Sequence, residues 1–322
     1  LDQFNQTNHC FDYWFNSIFI ISFLDYQLLR SYAKWFYVTS LALLGAVLIF
    51  GSTIRGTKGW FAFSGFSFQP VELVKVAIII FLAYYFSRQT RPLNQLKYLF
   101  VSGLSILLLF GLVILQPDFG SGLILFLIWL GLVVIIGLRK YQWILFIIGG
   151  FITFLIAWNF VFVPYQKDRI MTLIDPTADP LGSGYNVTQS VIAIGSGGFI
   201  GRGLSFGSQS QLKFLPEAGT DFVFAVIAEE LGLLGVILLL GLFFIIFYRL
   251  FKIAIKCRDD FGLFLVLGVM ILILVQVFLN IGMNLGVAPV TGITLPLVSY
   301  GGSSLIFMMA AIGIAQSVRM RG

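Results

Sequence analysis

Few side chains in this chain are suited to chemistry, and most of them interrupt stretches that are otherwise apolar. Glu72 and Lys75 stand three residues apart, so on a helix they share one face. An opposite-charge pair in an apolar segment either ties two helices together or lines a cavity as a cation held by its carboxylate. Asp221 follows Pro216-Glu217-Ala218-Gly219-Thr220 and opens a long apolar run. Thr220 or Asp221 can cap the helix that this run predicts. Asp221 also suits a general base: partial desolvation at the border of hydrocarbon and water makes a carboxylate more basic, a helix N-terminus opposes this, and sequence alone leaves the sign open. Gln276, Asn280 and Asn284 recur at four-residue spacing and form one amide ridge, which either glues helices or faces a polar cleft. Asp118 occupies the turn Gln116-Pro117-Asp118-Phe119-Gly120. Glu229 and Glu230 are neighbours that cannot both face lipid; a bond to a nearby helix and a functional role stay equally open. The run Gly195-Ser196-Gly197-Gly198 with Gly201-Arg202-Gly203 either cradles phosphate oxygens in a backbone nest or makes a flexible re-entrant turn. No compact spacing of metal ligands exists, and His9 stands alone, so metal ligation is unassigned.

The elements that must position these residues are membrane helices. Of 322 residues 59% are hydrophobic and 11% charged, against about 25% charged in a soluble chain. That balance excludes a soluble domain, disorder and collagen, and two cysteines make no disulfide framework. A crossing takes roughly 20 apolar residues, and the sequence predicts about nine, near 11–28, 34–51, 70–87, 98–116, 121–138, 141–163, 221–248, 261–286 and 298–318. The expected fold is an all-α polytopic membrane protein, a single integral domain over 1–322. The first span is the weakest: its uninterrupted apolar core is Ile18–Leu24, and Asp25 beside Arg30 reads as interfacial. Leu1 is not an initiator Met and the polar start lacks a signal peptide's pattern, so a helix upstream is expected.

Basic residues fix the orientation. Arg30, Lys34, Arg88, Arg91, Lys97, Arg139, Lys140, Arg249, Lys252, Lys256, Arg258, Arg319 and Arg321, thirteen of the twenty, fall in alternate short loops and at the C-terminus, which are therefore cytoplasmic. The net charge of +6 is thus topological and implies no nucleic acid. Cys257 lies on the cytoplasmic side and Cys10 outside, so they do not pair. Residues 164–220 form the one long loop, outside the membrane. Its recurring apolar residues (Ile170, Leu173, Ile174, Val187, Val191) between turn signals read as an ordered cap of short helices on the membrane surface. Glu72, Lys75, Asp118, Asp221 and the upper amides are expected at one outer level, around a water-accessible cleft.

Six segments in order carry a resemblance. They are Phe68-Gln69-Pro70-Val71-Glu72-Leu73-Val74-Lys75; Gln116 to Gly120; Asp175-Pro176-Thr177-Ala178-Asp179-Pro180 through Asn186; Gln189 to Gly198; Leu215-Pro216-Glu217-Ala218-Gly219-Thr220-Asp221-Phe222; and Pro289-Val290-Thr291-Gly292-Ile293 running to Ser299-Tyr300-Gly301-Gly302-Ser303-Ser304. From about Asp25 onward the chain resembles the RodA/FtsW/SpoVE family, the SEDS proteins, and the Pro289-Val290-Thr291-Gly292 form looks most like the RodA elongation branch. The resemblance implies a ten-span peptidoglycan glycosyltransferase of the bacterial cytoplasmic membrane, of which this chain lacks the first span. It implies polymerisation of lipid II on the outer face for cell elongation and rod shape, beside a class B penicillin-binding protein, in a shell of membrane lipids. The family's essential aspartate falls on Asp221, and its other sensitive positions on Glu72, Lys75 and Asp118. The family usually has His where Gly219 stands and Ser where Val71 stands, so what those side chains do in the family does not carry over directly to these positions.

For such a transfer the diphosphate is already a good leaving group, so one base and cations on the departing phosphates suffice, unlike a glycosidase with two carboxyls. Asp221 is the expected base toward the acceptor hydroxyl. Lys75, Arg202 or Lys213, with or without a divalent cation (Mg or Mn), are the expected diphosphate partners; Glu72 would orient Lys75, Asp118 would position a sugar or hold metal, and Glu217, Asn280 and Asn284 would support the site. Two rival readings stand beside this one. A lipid II flippase would need charged residues reaching the inner leaflet, which Glu229 and Glu230 alone could supply; a non-catalytic scaffold would bind the penicillin-binding protein through its outer loop.

Overall fold

The computed structural model describes residues 21–54, 56–63, 66–88, 96–156, 158–159, 164–174, 182–211, 214–215 and 217–321. Two compact units, interleaved along the chain, contain them: one drawn from Leu1–Gly137, Ile246–Val275 and Gly301–Gly322, the other from Leu138–Ile245 and Gln276–Tyr300. Among the described residues seven helices are long and apolar enough to cross a membrane: Tyr26–Phe50, Pro70–Ser87, Lys97–Ile114, Phe119–Ile136, Val223–Lys256, Asp260–Asn284 and Gly302–Arg321. Of the nine expected spans, the first lies mostly outside the described residues. The sixth is the helix Lys140–Ile156, 17 residues long.

In the first unit the boundary expected near Arg30 and Lys34 is absent. Asp25 is the N-cap of the Tyr26–Phe50 helix, its carboxylate accepting the Gln27 N–H at 2.9 Å, so the basic pair lies on the helix rather than in a loop. A short antiparallel sheet, which hydropathy did not foretell, follows: Ser52–Ile54, Thr57–Phe63 and Phe66–Phe68 in that order, with Ala62 paired to Ser67. It delivers the chain to Pro70, which opens the next helix from its first position, where a missing N–H costs nothing. Apart from the paired Glu72 and Lys75, Pro70–Ser87 is largely apolar all round, and it is accordingly buried on nearly every side. Tyr37 stacks on Phe81 at 4.5 Å, and Trp129 donates its indole N–H to the buried Ser102 hydroxyl at 3.0 Å. The ends of the unit are tied by polar bonds: Tyr26 Oη donates to Asp259 Oδ1 at 2.7 Å, Ser317 Oγ to the Leu24 carbonyl at 2.5 Å, and the Arg321 guanidinium to the Ser22, Phe23 and Leu24 carbonyls.

In the second unit the long loop carries the helices Pro164–Ile174, Ser183–Gly197 and Ser208–Gln211. Residues 175–181, 212–213 and 216 lie outside the described residues. The seventh span does not end near 248 but continues to Lys256, so Arg249, Lys252 and Lys256 are helical. It is broken inside at Gly232 (φ 64°, ψ −160°), a backbone conformation that a residue with a Cβ adopts only under strain. Ala193, Leu215, Phe222 and Ala225 form a small core against which Ile194, Ala218, Val226 and Val290 pack.

Candidate active site

Asp221 is held through its backbone. Thr220, Asp221 and Phe222 all direct their N–H groups at the Glu217 carbonyl, 3.1–3.4 Å away, in a turn that Glu217 enters with positive φ (54°). Thr220 Oγ1 donates to Glu217 Oε2 at 3.0 Å. The Asp221 carbonyl is clamped by two amides: Asn280 Nδ2 at 2.9 Å and Asn284 Nδ2 at 3.1 Å. Asn280 Nδ2 also donates to the Ile293 carbonyl (2.8 Å), while Asn284 Oδ1 accepts the Ala225 N–H (3.2 Å) and the Ser190 hydroxyl (3.3 Å). Ser299 closes the frame, its hydroxyl accepting the Leu295 N–H at 2.8 Å and donating to the Thr220 carbonyl at 2.5 Å; Tyr300 N–H bonds the Gly219 carbonyl. Gly292 abuts the carboxylate, and a Cβ there would stand 3.5 Å from Asp221 Oδ2. The ridge expected to face a water-accessible cleft therefore does other work. Asn280 and Asn284 are 0% exposed, and their amides satisfy backbone groups around Asp221. Ser190, Ser299 and Gly292 were not singled out from sequence; their only local signal was membership of the ordered motifs.

Glu72 and Lys75 are neither a link between helices nor open to solvent. Lys75 Nζ meets Glu72 Oε1 at 2.8 Å within one helix, and the residues are 3% and 7% exposed. A pair this buried stands because each charge neutralises the other, and loss of one partner strands the second. Asp118 is the N-cap of Phe119–Ile136: Oδ1 accepts the Ser121 N–H at 3.0 Å and Oδ2 the Gln69 amide at 3.3 Å. Each of its oxygens thus accepts one bond from the protein. Among the described residues no three His, Cys, Asp or Glu side chains converge on a point that could hold a metal ion.

The glycine run pairs with the backbone of a broken helix. The break at Gly232 leaves the Val223–Lys256 helix with unpaired backbone groups, and the run supplies partners: Arg202 and Gly203 N–H bond the Glu229 and Glu230 carbonyls at 3.0 Å, while Leu233 and Leu234 N–H bond Gly198 and Phe199 carbonyls. Gly201 N–H goes to Gly197. Three successive donors, the N–H groups of Gly201, Arg202 and Gly203, are thus already used, and a Cβ on Gly201 would overlap the Glu230 carbonyl. Glu229 is buried and accepts the Gln209 N–H on Oε1 at 2.8 Å. Arg202 remains exposed, its Nε bonded to the Ser196 carbonyl at 3.3 Å. Lys213 lies outside the described residues.

A profile of the cell cycle proteins FtsW, RodA and SpoVE matches residues 13–321. The chain belongs to this family. Relatives within the FtsW/RodA/SpoVE family include peptidoglycan glycosyltransferase MrdB of Escherichia coli K12, 42% identical over 90% of this chain and 78% of that one. Stage V sporulation protein E of Bacillus subtilis 168 is 38% identical over 94% of this chain and 82% of its own length. Among solved structures, a chain of a peptidoglycan synthase complex that coordinates polymerization and crosslinking superposes with a TM-score of 0.81 at 34% identity, covering 97% of this chain and 88% of that one. The crystal structure of Thermus thermophilus rod shape determining protein RodA gives 0.71 at 31% identity, covering 97% and 86%. The multi-pass helical architecture read from hydropathy is thus that of the FtsW/RodA/SpoVE family.

Proposed function

We propose that this chain is a peptidoglycan glycosyltransferase that polymerises lipid II at the outer face of the bacterial cytoplasmic membrane, with Asp221 as the base. The observation that carries the catalytic assignment is the clamp of Asn280 and Asn284 on the Asp221 carbonyl: a fully buried amide pair fixes the peptide of one carboxylate at the mouth of a membrane helix. Preorganisation of this kind lets a group act without reorganising during the reaction. The Asp221 carboxylate takes the proton of the acceptor sugar hydroxyl as its oxygen bonds to the donor's anomeric carbon. The bond from that carbon to the diphosphate oxygen breaks with inversion, and undecaprenyl diphosphate leaves with the electron pair. Arg202, exposed on its loop, and Lys213 are the cations we assign to the departing phosphates. The Glu72–Lys75 pair, closed within one helix, and Asp118, which caps another, are assigned no contact with substrate. A class B penicillin-binding protein is the partner that crosslinks the product, and the C-terminus faces the cytoplasm.

The test is glycan synthesis from purified lipid II by the purified chain, with and without the partner. A positioned base contributes about 10²–10⁴-fold, so Asp221→Ala and Asp221→Asn lose activity on that scale while remaining folded. Unchanged synthesis by either folded variant defeats the assignment. The flippase reading gains nothing from the structure, since Glu229, one of the two carboxylates it needed, is buried and bonded to Gln209.

A further inference from the structure

A cavity of about 160 Å³ is lined by Arg249, Lys252, Ile253, Lys256 and Cys257 at the end of one long helix and by Val318 and Arg319 of the last helix, all within the first unit. Roughly 10–15 Å³ on this scale holds one water, so the space admits a phosphate group. Four of the lining residues are cationic and none is acidic. Arg249, Lys252 and Lys256 follow at three and four residues, which stacks them along one helical stripe, and Arg319 comes from the other helix. None of the four makes an ion pair among the described residues. The nearby carboxylate of Asp259 is engaged by Tyr26, Gln27 and the Gly262 N–H.

The cavity also has a definite place along the span. Leu231 to Phe247 contains no charge, and the cations begin two residues later, where the apolar stretch ends. Lys252 Nζ sits 4.5 Å from the centre of the Tyr248 ring, an aromatic placed as at a membrane–water boundary. The tendency of basic residues to collect on the cytoplasmic side accounts for their presence, but not for their convergence from two helices on one cavity, where like charges repel unless an anion joins them.

We propose that this cavity binds the headgroup phosphate of an anionic phospholipid in the cytoplasmic leaflet. Arg249 and Arg319 are suited to fork onto phosphate oxygens, and Lys252 and Lys256 add point charge. Ile253 and Val318 offer apolar wall to the carbons beyond the headgroup. With no acid in the lining, the site has nothing to hold the ammonium of a zwitterionic lipid. The inference is independent of the glycosyltransferase assignment.

The experiment is thermal unfolding of the full chain in uncharged detergent with phosphatidylglycerol, phosphatidylcholine or inorganic phosphate added. Phosphatidylglycerol is expected to raise the unfolding temperature, and the other two to leave it unchanged. The Arg249→Gln/Arg319→Gln variant loses the shift. So does Lys252→Gln/Lys256→Gln, which alters exposed lysines only and decides the matter should the first variant unfold. Arg30→Gln/Lys34→Gln, elsewhere on the same side, keeps it. The proposal is overturned by a shift that survives both cavity variants, by an equal loss in the Arg30/Lys34 control, which means diffuse charge, or by an equal shift with inorganic phosphate, which means a free-anion site. Absence of any shift with phosphatidylglycerol overturns it as well.

Discussion

At the scale of single residues, Asn280 explains most about how the site is held. Its Nδ2 serves the Asp221 and Ile293 carbonyls at once, so Asn280→Ala strands the buried Ile293 carbonyl and leaves the Asp221 carbonyl with Asn284 alone. A stranded acceptor costs about 1–3 kcal/mol, and with Asp221 loosened we expect kcat to fall more than KM changes. A steady-state comparison on lipid II checks this; a variant that loses only thermal stability and keeps kcat shows that the clamp is structural alone. Cys257 behaves differently. Burial is the main cause that pushes its thiol above the ordinary value of 9.0, and the Asp259 carboxylate adds to it. Less thiolate exists at neutral pH, so in a Cys10→Ser background maleimide labelling should be slow at pH 7 and still accelerating past pH 9. A rate that levels off near pH 8 contradicts the burial.

At the scale of elements, the broken helix and the glycine run are one device. Neither segment satisfies its own backbone: the helix loses bonds at Gly232, and the loop from Gly198 to Gly203 has no regular structure to complete. In an apolar environment such groups must be paired within the protein, and each segment pairs the other. Gly232→Ala therefore adds a strained φ and an overlap with the Gly201 backbone. Positive φ alone costs about 1–3 kcal/mol, so the variant should unfold several degrees lower than wild type by thermal scan, and more than Gly241→Ala, where a Cβ meets nothing. Equal stability of the two alanine variants refutes the splice. Glycines in the same run looked like ligands of phosphate because a nest and a close backbone approach call for the same residue.

At the scale of the whole molecule, hydropathy and charge asymmetry make one coherent prediction. It is that Cys257 and Glu217 are reached from opposite sides of the membrane. In intact cells a membrane-impermeant maleimide should label Glu217→Cys in a Cys10→Ser/Cys257→Ser background, while Cys257 alone should react only after permeabilisation. The reverse pattern inverts the orientation, and with it the leaflet assigned to the basic cavity and the face assigned to the chemistry.

By itself the sequence determined what is local: the apolar runs, the ordered motifs that place the chain in its family, and Asp221 at the head of a helix. It could not show the sheet of residues 52–68, whose short strands lie below any hydropathy window, nor the extension of one helix past Arg249, because cations on a solvated helix end look like a loop. It also left open what the amides, Asp118 and the glycine run do. The decision rested on partners distant in sequence: Asn280 and Asn284 serve the Asp221 carbonyl 59 and 63 residues away, and Asp118 accepts the side-chain amide of Gln69, 49 residues away. Side-chain identity announces that a polar group needs satisfying. Only the tertiary structure decides what satisfies it.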